Sequence, residues 1–430
     1  MSQEDWDRLQ YYSRKVKIFG SFSAMNVIHP RIHPSTYFRI GQLRSSALFP
    51  SLQQLRYFLH DGAVSHIFLF LSPMLFSVAL FNIRGFENTI VGPFLASLSS
   101  ECPMLCQIAL RNGQLPVEIF KKSIVHFKQL QSLVLSDAVF MSDFTLLEVL
   151  GTLPSLSTII LVATDPASHP SHAPENYYSK SGGPRYFRAL QHLRVTGSFF
   201  LIRHILLFID SPFLKSIDVR PVIVKHVRNE YEPEDLFAHS MMMVSIKWSQ
   251  TLTNLAIFSI PCDTPQHYAI SKRLISLMHL HKMQTFRLDW KMKDMDDDVR
   301  RLVMSWSQLR VLYLHQTVIS LPTLRIIAEN CPELRHLHIR LDTSTITPFD
   351  TSGESLRHHL EVLTIGGAHS SSNTQTIFEC QIQLTRHLDF FFPYLKSIDV
   401  HPDDVFWSGI RDLLHLCQHA SQSRGCVARF

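Results

Sequence analysis

Histidine is the residue type best supplied for chemistry in this 430-residue sequence, with 24 copies. They bunch at His279 and His281, at His336 and His338, and at the pair His358-His359. Imidazole can bind a metal or move a proton near neutral pH. His336 and His338, two apart on a strand, would share one face, a spacing that can chelate. No cysteine or carboxylate follows in a closed ligand pattern, and neither H-E-x-x-H nor C-x-x-C occurs. Cys102 and Cys106, four apart, read as core thiols flanking a turn. The run MDDDVRR (295–301) reads as acids complementing a helix N-terminus rather than as a metal site. G-x-S-x-G, G-x-x-x-x-G-K-[ST] and G-x-G-x-x-G are all missing. The expectation is a protein that is not an enzyme and has no catalytic residue, no cofactor and no resident metal.

The bulk numbers narrow the class further. A 46% hydrophobic, 18% charged composition is that of a folded chain rather than a disordered one. The net charge of +5 comes from 41 basic and 36 acidic residues spread along the sequence, so no nucleic-acid partner is expected. The opening MSQEDWDRLQYY is polar, which predicts no secretory leader. The seven cysteines show no paired framework, and reduced thiols in the cytoplasm or nucleus follow as the expectation. Residues 63–83, AVSHIFLFLSPMLFSVALFNI, are long and apolar enough to raise a membrane span. Ser72-Pro73 interrupts them, and they divide into the end of an outer helix, a turn and a strand. No membrane partner is expected.

What positions side chains here is a repeat. The passages SPFLKSIDVRP (211–221) and FPYLKSIDVHP (392–402) share LKSIDV, and the underlying pattern L-x-x-[LI]-x-[LIV] recurs throughout. It opens at Leu52, Leu75, Leu105, Leu130, Leu156, Leu190, Leu214, Leu252, Met283, Leu309, Leu334, Leu360 and Leu395. The intervals are 23, 30, 25, 26, 34, 24, 38, 31, 26, 25, 26 and 35 residues. Seven of these twelve fall in the 20–29 range of leucine-rich repeats, and insertions account for the rest.

In such a unit the last two apolar residues are two apart and point to one side of a short strand, while the first enters the core from the preceding turn. One unit cannot close a core, whereas stacked units can. Between strands, SDFTLLEVLGTLP (142–154) and SLPTLRIIAENCP (320–332) read as helices capped by Ser142 and Ser320, the second stopped by Pro332. DDDVRRLVMSWSQ (296–308) and ISKRLISLMHLHK (270–282) read as helices too. The predicted class is α/β: a leucine-rich-repeat solenoid, or horseshoe, with a parallel concave sheet and helices on the convex side. Residues 1–47 form a helical lead-in and first capping strand, 48–419 a solenoid of about 13 units, and 420–430 a flexible tail.

SSECPMLCQIAL (99–110) and AENCPELRHLHI (328–339) each place Cys-Pro just before a strand. This resembles the cysteine-containing repeats of F-box proteins, the substrate receptors of cullin-type ubiquitin ligases. EDWDRLQYYSRKVKIFG (4–20) is similar to the segment joining F-box to repeats in mushroom-type fungal members, through Asp5, Trp6, Arg8, Leu9, Tyr12, Val16 and Lys17. The F-box itself, a three-helix module opening L-P-x-E-(I/L), is missing ahead of that segment. LPVEIFKKSIVHF (115–127) has such an opening but falls where a repeat helix is needed. The resemblance implies the substrate-binding part of an F-box ubiquitin ligase receptor, with the ligase adaptor as partner only if an F-box lies upstream. The alternative is a stand-alone scaffold without ligase recruitment.

A protein substrate is expected on the concave face of a monomer. The outward strand positions from Leu190 onward are richest in residues that anchor interfaces. The candidate partner-binding set is Arg194, Arg220, Phe258, Arg287, Asp289, Tyr313, His315, His336, His338, Arg340, Asp399 and His401. The outward positions of earlier units, such as Ala109, Val134 and Ile160, read as blander. Excursions at 164–184, 220–240 and 343–355 mark a second candidate region, one rim of the horseshoe.

Overall fold

The computed structural model describes residues 3–20, 47–59, 64–83, 88–112, 117–136, 145–163, 187–222, 233–258, 274–290, 295–343, 346, 356, 358–366, 374–400 and 404–427. The chain forms two compact units, residues 1–214 and 215–430.

The first unit opens with α1 (Gln3–Ser13), β1 (Ile18–Gly20), β2 (Gln54–Phe58) and β3 (Ser77–Phe81). It continues through α2 (Asn88–Glu101), β4 (Gln107–Arg111), α3 (Val117–Ile124), β5 (Ser132–Ser136) and α4 (Thr145–Gly151). β6 (Thr158–Val162), β7 (His192–Gly197) and α5 (Phe199–Phe208) complete it. The second unit holds β8 (Ser216–Pro221), α6 (Pro233–Trp248), β9 (Asn254–Phe258), β10 (Thr285–Asp289) and α7 (Asp296–Ser305). There follow β11 (Val311–Ile319), α8 (Leu321–Asn330), β12 (His336–Leu341) and β13 (Val362–Gly366). It ends with α9 (Thr374–Phe391), β14 (Ser397–Val400) and α10 (Val405–Val427).

Each of the thirteen repeat openings carries one strand from β2 to β14, beginning two residues after its leading apolar side chain. Within each unit the strands pair in parallel and in chain order. Burial alternates along them: in β5, Leu133 and Leu135 are fully buried while Ser132, Val134 and Ser136 stay half-exposed. The inward leucines meet the helix-side segments. Phe286 on β10, for example, packs 4.9 Å from Trp306, which follows α7 and donates its indole N–H to the Leu277 carbonyl. Each buried aliphatic side chain contributes about 1.5–3 kcal/mol as an upper bound, so stacking neighbours is what stabilises any one strand. This is the α/β leucine-rich-repeat fold expected from the spacing.

A backbone device fixes the register between units. One carbonyl at the strand entrance accepts two consecutive N–H groups from the next repeat. Gln131 and Ser132 donate to the Cys106 oxygen at 2.8 and 2.9 Å, and Arg310 and Val311 to the Gln284 oxygen at 2.8 and 3.0 Å. The twin LKSIDV stretches occupy the same rung: Lys215 O accepts from Thr253 and Asn254, while Lys396 and Ser397 donate to Glu361 O. Their isoleucines, Ile217 and Ile398, are both buried. At two strand exits the chain turns on an asparagine in the left-handed region, Asn82 (φ 60°) and Asn112 (φ 53°), a conformation Asn tolerates better than most residues. Asn82 also donates its side-chain amide to the Leu59 carbonyl at 3.0 Å.

The helix side departs from expectation in two places. The segments 270–282 and HIFLFL were expected as helix, but the described parts form short 3₁₀ turns, Ile275–His279 and Val64–Phe70. Leu274, Leu277 and Leu280 are all fully buried, as are Ile67 and Phe70. Burial every third residue suits three residues per turn rather than 3.6. Ser72 closes the following turn by donating to Pro50 O at 2.9 Å, and among the described residues no helix is long and apolar enough to cross a membrane.

Other expectations are met or lie elsewhere. Ser320 caps α8 by accepting the Thr323 N–H, and α3 fills the slot of LPVEIF between β4 and β5. Ser142 and the excursion 164–184 lie outside the described residues. The excursion 220–240 ends within α6, which starts at Pro233, and α10 runs into the segment read as a tail.

Candidate functional site

The outward residues of the second unit gather on β9 to β12. Strand pairing sets Arg287 of β10 beside Tyr313 of β11, and Tyr313 beside His338 of β12. On its other side Arg287 pairs with Ala256, and Asp289 pairs with Phe258. Tyr313 lies against the His338 ring at 4.2 Å between centroids and stacks on His315 at 5.8 Å and 17°.

A bulge in β11 shapes the centre. The nine-residue strand shifts register between Tyr313 and Val318, so Arg340 pairs with Val318 and not with His315. The extra residues present His315 and Gln316 together. His315 Nδ1 and His338 Nε2 sit 2.7 Å apart, sharing one hydrogen bond, and Gln316 donates to Asp289 Oδ1 at 3.2 Å. Bulges commonly re-aim side chains in this way.

The electrostatics follow from this crowding. Burial pushes the His338 pKa below the usual imidazole value, the neighbouring His315 pushes the same way, and Asp289 partly opposes both. Burial raises the Tyr313 phenol, Asp289 adds to the rise, and Arg287 offsets it. The cluster thus offers a hydrogen-bonded imidazole pair, a phenol and an exposed guanidinium on one surface. These groups can donate and accept hydrogen bonds and cover apolar area at once.

Arg194 and His401 apart, the other candidates belong to strands of the second unit. Arg220 forms a two-pronged ion pair with Asp218, both bonds 3.1 Å, and lies 4.8 Å from the Phe258 ring. His336 is exposed beside Val311, and Asp399 is exposed two strands beyond His338, across Thr364. Arg194 belongs to β7 of the first unit, and His401 lies outside the described residues.

Several of the groups that stood out for chemistry have structural employment. Cys102 and Cys331 are buried, and burial pushes their thiols up to about 11 and about 12, away from thiolate chemistry. His358 is buried, with Nε2 2.7 Å from Cys331 O and Nδ1 accepting the Leu360 N–H, which fixes a neutral tautomer. Asp296 does more than face a helix dipole. It accepts from the Ser320 backbone N–H (2.8 Å), the Ser320 hydroxyl (2.7 Å) and Arg300 (2.7 Å), and Arg300 also donates to Thr323. Partial burial raises its pKa, but these hydrogen bonds and Arg300 win and hold the carboxyl low. Among the described residues no group of three or more His, Cys, Asp or Glu side chains is placed to hold a metal ion. Sequence reasoning also missed a cleft of about 360 Å³ lined by Pro332, Glu333, Arg335, His359 and Glu361.

No protein-family model matches the chain, and no curated protein matches it. Solved structures do. TLR13, in its complex with ssRNA13, aligns at 12% identity and TM-score 0.32 over 82% of this chain and 56% of its own. A Bacteroides fragilis protein aligns at 10% identity and TM-score 0.29, over 77% of this chain and 66% of its own. A leucine-rich-repeat protein of Leptospira interrogans aligns at 12% identity and TM-score 0.23, over 91% and 98%. This chain therefore spans little more than half the TLR13 chain and just under two thirds of the Bacteroides one.

Proposed function

We propose that the chain is a non-enzymatic protein-recognition module whose partner sits on the open sheet face of the second unit. The observation that carries this reading is the register row Arg287–Tyr313–His338, backed by the His315–His338 hydrogen bond. Arg, Tyr and paired polar groups in one row are the composition of interface anchors. By its resemblance at 4–20 and the two Cys-Pro sites, the module is the substrate-binding part of an F-box ubiquitin ligase receptor acting in the cytoplasm or nucleus. Its mechanism is positioning: the sheet face holds the target while an F-box recruits the ligase.

Two measurements test this. Affinity capture with the wild-type chain, against the combined variant Arg287→Ala, Tyr313→Ala, His338→Ala and Arg340→Ala, should lose the partner at least tenfold while the thermal melt stays in place. Equal capture by both would remove the patch. Recovery of a cullin and its small adaptor subunit with the full-length gene product supports the ligase assignment. Partner capture without them supports the stand-alone scaffold.

A further inference from the structure

The open face of the first unit has a different layout. Strand pairing across β2 to β7 lines up Arg56, Ala79, Ala109, Val134, Ile160 and Arg194 in one row. Four half-buried apolar side chains thus lie between two exposed arginines. One row along, Phe58 and Phe81 stack at 4.5 Å and 12°, and the Arg111 guanidinium lies 5.5 Å from the Phe81 ring. No outward-facing position of these six strands is Asp or Glu.

We propose that this face seats a partner peptide segment with an apolar middle and a carboxylate toward each end. Strands are spaced about 4.8 Å apart, so the row from β2 to β7 is about 24 Å long. That is about sixteen residues of helix. The apolar middle gains by leaving water, and the arginines select acidic ends while repelling basic ones. A nucleic acid fits less well, because a phosphate backbone would meet no donor along the four apolar residues between the arginines. The proposal stands apart from the site of the second unit, and the alanine variant there leaves it untouched.

The test is a displayed library of random 20-residue peptides selected on the full chain. Enriched peptides should carry an apolar run bracketed by Asp or Glu. Their Kd should rise at least tenfold in the double variant Arg56→Glu, Arg194→Glu and in Val134→Asp, and should also rise with added salt. Circular dichroism melts identify any variant that fails to fold, and the charge-reversed pair lies at exposed positions, where the fold is least at risk. Failure of any sequence class to enrich, enrichment of basic or uncharged peptides, or unchanged affinity in folded variants would overturn the proposal. So would loss of self-association in the variants, which would give the face to a second copy of the chain, or binding of a 20-nucleotide single strand that competes with the peptides.

Discussion

The open faces of the two units are built on the same strands and yet present different surfaces. In the first, the central row reads Arg-Ala-Ala-Val-Ile-Arg across β2 to β7 and the face has no strand carboxylate. In the second, the row from β8 to β14 runs Asp218, Ala256, Arg287, Tyr313, His338, Thr364 and Asp399, with both charges and two contacting histidines nearby. Inward positions hardly differ: Leu133 and Leu135 in one unit match Leu312 and Leu314 in the other, all buried. Burial constrains one side of each strand to a few apolar types and leaves the other side free to vary. Recognition therefore has to be sought in the outward residues.

The largest effect should show where the units agree. Leu135→Ala and Leu312→Ala should each cost about 2–5 kcal/mol, since both empty a filled core position. Chemical denaturation checks this, and a cost confined to one unit would break the equivalence. A smaller effect should separate them. Asp296→Asn removes a network that ties α7 to α8 in the second unit and should cost about 2 kcal/mol at pH 7. Because the folded carboxyl titrates below the ordinary value near 3.9, that stabilisation is full above it and disappears as the pH falls through the folded pKa. Denaturation at pH 7 and pH 3 should show the wild-type advantage shrinking.

The smallest effect concerns the histidine pair. The folded-state pKa of His338 is lowered, so its contribution is intact above the unfolded value near 6.5 and is lost as pH drops toward the folded one. His338→Gln should therefore lose less stability than wild type between pH 7.5 and 5.5. Imidazole NMR should show His338 remaining neutral to lower pH than an exposed histidine. An unshifted His338 titration would mean that the pair is not formed in solution.

Much of this was readable from spacing alone. The strands were legible because every one must bury the same three positions, so the pattern reappears wherever the fold does. The helix side was less legible. Leu274, Leu277 and Leu280 fit a 3₁₀ turn as well as the edge of a helix stripe, and only the packing decides. Aligning repeats was enough to set Arg287, Tyr313 and His338 on neighbouring strands. It could not reveal that β11 bulges, which pairs Arg340 with Val318 and brings His315 to His338. The network around Asp296 was invisible for a similar reason, because Ser320 and Thr323 belong to the following repeat.

The doubly accepting carbonyl at each strand entrance has a bearing on how such a chain can change length. Within each unit a repeat inherits its alignment from the one before through a single oxygen immediately behind the strand. Losing one residue at the strand entrance would turn every leucine downstream in that strand outward. Whole repeats, or extra residues on the helix side, leave the hand-over untouched. Growth and shrinkage by complete modules is thus the inexpensive route for this architecture, and single-residue indels at strand entrances are the ones selection should remove.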